Sequence, residues 1–317
     1  MKARSFQRAI AFYLESRRAL GFALESEGAL LANLVAYARK VHHRGPLTTD
    51  LALNWAQVPP PTHSLRRARR LEAVRHFARF WAAFDRRTQI PPPGLFGPAY
   101  RRVPVHIYTP QEITALLAAA QQLPPSESLR PLTFGTLLGL LACTGLRISE
   151  ALQLQLEDWE RTEALLTIRQ AKFGQSRYVP LAPSAAAALN TYGQARAKAF
   201  PQSRARTLFL DAEGHPLSYR QVSRTFATLR QQLGWQAQQP CPRLHDLRHT
   251  FAVSCLLGWY RRGQEELNAK ILSLAVYLGH RNIRHTYWYL TAVPELLVLG
   301  SARWAKALAG QKGAAHE

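Results

Sequence analysis

The sequence predicts a mainly α fold of two domains, the second of which also holds one small antiparallel β-sheet. Three observations lead to this prediction. Apolar side chains recur at helical spacing through almost all of the first hundred residues. A proline-rich run then interrupts the pattern, and the helices that follow it are broken by one pair of short β-type segments. A chain of 317 residues is long enough for two domains with separate cores.

Four helices are expected in the first domain, at about residues 5–20, 24–43, 47–57 and 64–87. The segment Thr48–Asp50 offers an N-cap to the third helix. Three prolines at 59–61 separate the third helix from the fourth, because repeated proline prevents a helix from continuing.

The fourth helix combines a basic first half with an aromatic second half. The aromatic residues recur three and four positions apart, which is more typical of a core stripe than of a base-stacking surface; they are Phe77, Phe80, Trp81 and Phe84. The arginines are too dense for a buried face, so we expect phosphate contacts, with a solvated charge run as the alternative; they are Arg66, Arg67, Arg69 and Arg70.

A linker follows the first domain. It opens at Pro91–Gly94 and continues through further prolines, so we place the domains at residues 1–90 and 109–317, with the linker at 91–108. The second domain begins at Thr109, which is suited to cap a helix whose first residue is Pro110.

The second domain is predicted to be helical around one hairpin. The β-type segments are 165–168 and 178–181, and a connection carrying Lys172 joins them. The expected helices are 130–143, a short one after the Gly145 turn, 183–199, 218–231, 245–259, 264–278 and an apolar C-terminal one at about 294–309.

The charge indicates a polyanionic partner. The net charge is +21, of which residues 1–104 carry +12 and residues 105–317 carry +9. Because both halves are basic, DNA or RNA that contacts both is the simplest partner. A charge excess that serves only solubility is the alternative.

Cysteine usage and hydropathy predict a cytoplasmic, nucleoid-associated protein. Cys143, Cys241 and Cys255 form no C-x-x-C pair and are expected to be reduced and mostly buried, with packing roles for Cys143 and Cys255. No uncharged apolar stretch reaches about 18 residues, as a membrane span requires. The N-terminus lacks a secretory apolar core.

Four short stretches carry the chemistry. In chain order they are 144–150 (T-G-L-R-I-S-E), 171–174 (A-K-F-G), 245–249 (H-D-L-R-H), and 278–280 (L-G-H) with Tyr289 nine residues later. Together they supply two arginines, a lysine, histidines and a phenol. This set suits in-line attack of a tyrosine on a DNA phosphate, with fixed cations neutralising the charge that develops.

Several of these residues also have a simpler interpretation. Taken alone, His280 would be a surface or hydrogen-bonded histidine, and Tyr289 an interfacial aromatic of an amphipathic helix. Arg147 has Glu150 three residues on, so the two are able to form an ion pair. His245 and His249 have the i, i+4 spacing of a zinc helix, but Asp246 stands where a metalloprotease carries its glutamate, and we therefore expect no metal site.

Taken together, the four stretches resemble the tyrosine recombinases, or phage-type integrases, over nearly the whole chain. The resemblance implies a helical DNA-clasping first domain and a catalytic second domain. It implies catalytic roles for Arg147, Lys172, His245, Arg248, His280 and Tyr289. The two arginines and His280 would bind the non-bridging phosphate oxygens, Lys172 would protonate the departing 5′ oxygen, and His245 would assist proton transfer at Tyr289.

The same resemblance implies a site-specific recombinase that works through a covalent 3′-phosphotyrosine, without a metal, ATP or another cofactor. Its partners would be a double-stranded DNA recombination site and further copies of the chain, in a tetramer at synapsis. The candidate DNA-binding residues are Arg66, Arg67, Arg69, Arg70, Arg101, Arg102, Arg177 and Arg243.

Two features point to transposon- or plasmid-borne members. The segment between Arg248 and His280 is longer than in compact Xer-type members, and a second tyrosine, Tyr287, precedes Tyr289. The alternatives are relaxation of DNA as by a type IB topoisomerase, or a non-catalytic DNA-binding accessory protein. The C-terminal helix favours the recombinase, because its apolar face suits docking on a neighbouring protomer, although packing within the same chain is the other possibility.

Overall fold

The computed structural model describes residues 3–58, 64–100, 104–171, 175–262 and 267–279, together with positions 282, 283, 286, 287, 289 and 298. It divides into two compact units, Met1–Val103 and Pro104–Glu317. Both units are mainly helical, and the second holds a three-stranded antiparallel sheet. The predicted fold class is confirmed.

Four helices build the first unit: α1 (Ala3–Ala19), α2 (Glu25–Lys40), α3 (Thr49–Ala56) and α4 (Ser64–Trp81). The predicted cap of α3 is present, since the Thr48 side chain accepts a hydrogen bond from the Leu51 amide at 3.2 Å. Trp55 and Phe77 are fully buried and anchor the core between the helices.

Helix α4 ends earlier than predicted, and one aromatic prediction is wrong. The amides of Phe84 and Asp85 both donate to the carbonyl of Trp81, which closes the helix in a turn. The Asp85 carboxylate then accepts the Arg87 amide at 3.1 Å and holds this turn. Phe77 lies in the core as expected, but Phe84 is beyond the helix and 59% exposed.

Seven helices are described in the second unit: α5 (Pro110–Gln121), α6 (Arg130–Thr144), α7 (Ile148–Gln153), α8 (Pro183–Ala199), α9 (Tyr219–Gln232), α10 (Asp246–Arg261) and α11 (Leu267–Tyr277). Thr109 forms a full capping box with Glu112 at the start of α5, as its sequence indicates. The predicted C-terminal helix at 294–309 lies outside the described residues, apart from the single position 298.

The sheet has the order β1 (Trp159–Glu160), β2 (Leu165–Ala171) and β3 (Gln175–Pro180). Strands β2 and β3 form the predicted hairpin, with Thr167 opposite Tyr178. The short edge strand β1 was not predicted, because two residues are too few for an alternating pattern. Lys172 lies outside the described residues.

Helix α10 is fixed from two sides. It packs against α6, and Leu247 on its first turn belongs to the main core of the unit. The segment that enters the unit also binds it: the Tyr108 amide donates to Thr250 Oγ1 at 2.9 Å, and the Tyr108 hydroxyl donates to the Arg243 carbonyl at 3.0 Å. Tyr108 is itself buried.

The three cysteines are free thiols, but the packing role predicted for Cys143 is wrong. Cys143 is exposed and lines an apolar groove with residues of α5 and α8. The apolar run of α6 therefore has one face that the core does not cover. Within the described part of the chain, no helix is long and apolar enough to cross a membrane.

Candidate active site

Arg147 leaves the backbone at a tight turn between α6 and α7. Gly145 ends α6 in the left-handed conformation, with a φ of 63°. A Cβ atom on Gly145 would lie 2.5 Å from the Phe251 ring, so both conformation and space require glycine. Arg147 follows in an extended conformation and caps α7. The turn therefore fixes the point from which the guanidinium projects.

The Arg147 guanidinium bridges two parts of the site. Its Nη1 is 2.7 Å from Oε1 of Glu150, and its Nη2 donates to the carbonyl of Gly279 at 2.9 Å. The ion pair that was the simpler interpretation of the sequence is therefore present. This ion pair leaves Arg147 accessible to solvent, because 24% of the side chain is exposed.

Glu150 is a buried carboxylate between two arginines. Besides Arg147, it binds Nη2 of Arg177 at 2.7 Å. Burial alone would raise the pKa of Glu150, but the hydrogen bonds and charges of Arg177 and Arg147 outweigh burial and hold the pKa below its ordinary value. Glu150 is therefore ionised at neutral pH and orients both guanidinium groups.

Arg248 lies on the first turn of α10 and is 2% exposed. Its Nη1 donates to the carbonyl of Gly145 at 2.8 Å, and its Nη2 donates to the carbonyl of Leu278. Burial, followed by repulsion from Arg147, lowers its pKa to about 10, so it remains charged at neutral pH. Carbonyl partners orient this cation without cancelling its charge.

These contacts join three distant stretches of the sequence. The Gly145 turn, the start of α10 and the end of α11 meet where Arg147 and Arg248 bind main-chain carbonyls. Arg147 and Arg177 bind the carboxylate of Glu150, and Arg248 interacts with it through its charge. The site consequently has a net positive charge, which suits an anionic substrate group.

The phenol of Tyr289 lies beside the same turn of α10. Its hydroxyl is 3.1 Å from Nδ1 of His249, and the Tyr289 side chain is packed in an apolar cluster with 2% exposure. The His245 ring contacts the His249 ring edge to face, with the centroids 4.8 Å apart. Two histidines and the phenol therefore form a contiguous row.

The surroundings keep both imidazoles neutral at neutral pH. Burial, followed by the charge of Arg248, lowers the pKa of His245. Burial, followed by His245, lowers the pKa of His249 to about 4. The pKa of Tyr289 is raised by burial, although the nearby Arg248 and Arg147 oppose that rise.

Four of the six predicted catalytic residues are described, and the structure brings them together: Arg147, His245, Arg248 and Tyr289. Lys172 and His280 lie outside the described residues. Gly279, which directly precedes His280, is described and binds Arg147 through its carbonyl.

Two of the predicted DNA-binding arginines are largely buried and make contacts within the protein. Arg70 is 6% exposed, and its guanidinium lies 4.2 Å above the ring centroid of Trp55 and binds Asn33, because the helix turns this side chain into the core. Arg177 is 11% exposed and is held by Glu150 and the Tyr277 carbonyl. For both residues the contact with a phosphate stays a prediction.

The other DNA-binding candidates stay predictions. Arg66 and Arg69 are exposed, and Arg67 is half-buried. Arg243 is partly exposed and pairs with Asp246 at 2.8 Å, at the start of α10. Arg101 and Arg102 lie outside the described residues.

Two residues of the site were not among the predicted catalytic set. Glu150 was considered only as a partner that would neutralise Arg147, and its second contact, to Arg177, joins residues 27 positions apart. His249 was considered only as a zinc ligand. Its contact with Tyr289 joins residues 40 positions apart, so it depends on the tertiary fold and cannot be predicted from residue spacing.

Comparison with known proteins identifies the family of the chain. Residues 107–295 match the Phage integrase family. The chain is 40% identical over 299 residues to a protein named as integrase/recombinase y4rB of Sinorhizobium fredii, covering 92% of this chain and 95% of that relative. It is 31% identical over 234 residues to the tyrosine recombinase XerD of Caulobacter vibrioides, covering 73% and 72% of the two chains.

A solved structure shares the fold. The Tn1549 transposon integrase in complex with a circular intermediate DNA superimposes with a TM-score of 0.63 at 16% identity, covering 93% of this chain and 99% of that one. The family match covers the positions of all six predicted catalytic residues. The chain therefore belongs to the phage integrase family and is a tyrosine site-specific recombinase.

Proposed function

We propose that this recombinase cuts and rejoins DNA by transesterification at Tyr289, through a covalent 3′-phosphotyrosine. The observation that carries the proposal is the meeting of Arg147, Arg248 and Tyr289 around the Gly145 turn and the end of α11. A phosphodiester exchange needs a nucleophile beside fixed positive charge, and these three side chains supply both.

The arginines are proposed to bind the two non-bridging oxygens of the scissile phosphate. Arg147 is the more accessible of the two, and Arg248 is held rigidly by carbonyls. Charge that is oriented before the reaction stabilises the pentavalent transition state without further reorganisation. This fixed charge takes the part that a metal ion plays in other phosphoryl-transfer enzymes.

In the cleavage step the Tyr289 oxygen forms a bond to phosphorus, and the bond between phosphorus and the 5′ oxygen breaks. The phenol gives up its proton with the help of the neutral imidazoles, among them His245. The departing 5′ oxygen takes a proton, for which Lys172 is the candidate, and His280 is the candidate for a further hydrogen bond to the phosphate. Reversal of the step by another 5′ hydroxyl rejoins the strand without ATP.

The proposed partners are a duplex recombination site and other copies of the chain. A net charge of +21 favours the duplex, and the Tn1549 integrase that shares the fold was solved with DNA. Exchange between two duplexes needs four active sites, so a tetramer is proposed at synapsis, serving integration, excision or cointegrate resolution of a mobile element. Recombinase relatives favour this function over topoisomerase-like relaxation or an accessory role.

A suicide substrate tests the proposal. In DNA nicked close to the cleavage point, the short fragment that carries the released 5′ hydroxyl dissociates after attack. The strand then cannot be rejoined, and the covalent complex accumulates. The wild type is expected to form a protein–DNA adduct that resists denaturation, and Tyr289→Phe is expected to bind DNA but form none. Tyr287→Phe is the matched control, since Tyr287 is 41% exposed and should be dispensable. An adduct that persists in Tyr289→Phe and disappears in Tyr287→Phe would refute the assignment.

A further inference from the structure

The hydroxyl of Tyr289 contacts a histidine to which neither the motifs nor the comparisons assign a role. Its oxygen is 3.1 Å from Nδ1 of His249, and the two rings are 5.5 Å apart between centroids. We propose that His249 is a positioning residue that holds the attacking phenol by accepting the hydrogen bond of its hydroxyl at Nδ1. This inference rests on the proposed function, because it presumes that Tyr289 attacks.

The electrostatic surroundings favour the acceptor role. Burial and the groups around His249 lower its pKa to about 4; Asp246 opposes the shift, while the lowering groups are His245, Arg243 and Arg248. At neutral pH the imidazole is therefore uncharged and has one acceptor nitrogen. We assign that nitrogen as Nδ1, which leaves the proton on Nε2.

The direction of this hydrogen bond matters for attack. A hydroxyl that donates its proton to His249 keeps its lone pairs for phosphorus. A protonated imidazole would donate instead and would occupy a lone pair of the same oxygen. The Tyr289 hydroxyl also lies beside Arg248, a proposed phosphate ligand, so the oxygen is held next to the place where the phosphate is expected to bind.

The histidine is itself held in place. Its ring packs edge to face on His245, with an interplanar angle of 85°. The first turn of α10 is anchored by Asp246, which accepts the Arg243 amide at 3.0 Å and is fully buried. A rigid support is what a positioning residue needs, because a misplacement of about 1 Å is able to cost roughly a hundredfold in rate.

Two substitutions in the full-length protein separate hydrogen-bond acceptance from packing. His249→Phe keeps a planar ring but removes the acceptor, and His249→Asn keeps an acceptor close to the position of Nδ1. Cleavage of the suicide substrate is measured in single turnover at saturating DNA. We expect His249→Phe to cleave about a hundredfold more slowly and His249→Asn to stay within about tenfold of wild type, with DNA affinity unchanged in both.

The same substitutions at His215, whose side chain is 77% exposed, provide the matched control and should leave cleavage unchanged. A pH profile gives a readout that a packing role would not move. The wild-type rate should fall on acidification, in part because His249 becomes protonated near pH 4. His249→Asn should lose that component and keep only the part of the fall that comes from His245.

Several outcomes would overturn the inference: equal losses in the two variants, wild-type cleavage by His249→Phe, or faster cleavage once the contact is removed. The experiment distinguishes failure of the His249 inference from failure of the proposed function. If the wild type forms an adduct and His249→Phe forms it at the same rate, only the role of His249 is lost. If the wild type forms no adduct on its cognate DNA, the proposed function fails first.

Discussion

Arg147 and Arg248 are held in different ways, and this difference determines how each should respond to substitution. Arg147 pairs with a carboxylate and remains partly exposed, whereas Arg248 is buried against main-chain carbonyls. Removal of Arg248 leaves the buried carbonyl of Gly145 without its donor, which costs about 1–3 kcal/mol of stability. Removal of Arg147 also costs stability, because the Gly279 carbonyl loses its donor and the buried Glu150 loses one of its two arginines.

We expect Arg147→Ala and Arg248→Ala each to lower the single-turnover cleavage rate by about a hundredfold or more, as when a preorganised oxyanion donor is lost. DNA affinity should change much less, because the chain keeps a large net positive charge without either arginine. Cleavage is measured on the suicide substrate and affinity by titration. Arg220→Ala, at an exposed position of α9, is the control. A loss confined to affinity would speak against a catalytic role for either arginine.

Glu150 is expected to contribute stability through its charge. Glu150→Gln leaves Arg147 and Arg177 without their counter-ion, and loss of one partner of a buried pair costs about 3–5 kcal/mol. Glu157→Gln is the matched control, because Glu157 is 61% exposed and pairs weakly with Arg169, so its loss should cost about 1 kcal/mol or less. Urea unfolding at neutral pH measures both changes.

The stability that Glu150 contributes should depend on pH in a direction that its lowered pKa determines. Because the pKa of Glu150 is lowered in the folded protein, its contribution is complete above the ordinary glutamate pKa of about 4.3 and is lost as the pH falls through the folded value. The stability gap between wild type and Glu150→Gln should therefore narrow in acid. A gap that stays constant down to about pH 3 would show that the charge of Glu150 does not carry it.

For single residues, the sequence predicts which residues belong to the site better than it predicts what each side chain contacts. Arg147 and Arg248 follow from their motifs, and the structure brings them together. Arg70 belongs to a run of arginines that looks solvated throughout, but helical rotation places this one on Trp55. Only the tertiary fold decides which member of such a run faces inward.

Among the elements, α10 is central, since it carries His245, Arg248 and His249 along one turn. Its Thr250 hydroxyl accepts the amide of Tyr108, which ties the entering segment to this helix. We expect Thr250→Val to lower stability by about 1–3 kcal/mol, because the buried Tyr108 amide then has lost its acceptor. Denaturant unfolding of the full chain measures the effect.

Thr228→Val, at an exposed position of α9, is the control for Thr250→Val and should change stability by less than about 0.5 kcal/mol. Equal effects at the two positions would show that the Tyr108 contact contributes nothing specific. A cleavage rate that falls together with stability would show in addition that this contact helps to place the active-site turn.

Elements with a clear capping signal were predicted well. Thr48 and Thr109 begin their helices where the sequence indicates. The end of α4 was misplaced because a helical pattern of apolar residues continues to Phe84, while the turn that stops the helix depends on the Asp85 carboxylate. Strand β1 was missed because its two residues pair only through the tertiary fold.

For the whole molecule, the distribution of charge makes a prediction about the first unit. Residues 1–104 carry +12, and we propose that they close on the duplex as half of a clamp. A protein that begins at Pro104 should bind DNA much more weakly. Its affinity should also depend less steeply on salt, because each lost phosphate contact lowers the slope of log K against log salt by about 0.9.

Affinity titrations at several salt concentrations measure both quantities, and the melting temperature of the fragment shows whether the second unit stays folded. An unchanged affinity and an unchanged salt slope in a folded fragment would contradict the clamp. The linker arginines Arg101 and Arg102 are removed in the same fragment, so the double variant R101A/R102A in the full chain separates their share.

The identity of the residue that becomes linked to DNA tests the central claim most directly. The covalent complex trapped on a suicide substrate is digested with protease and nuclease, and mass spectrometry locates the nucleotide on the peptide that contains both Tyr287 and Tyr289. We predict that the 3′-phosphate is attached to Tyr289 alone. Attachment to Tyr287, or to a residue outside this segment, would contradict the account of the site.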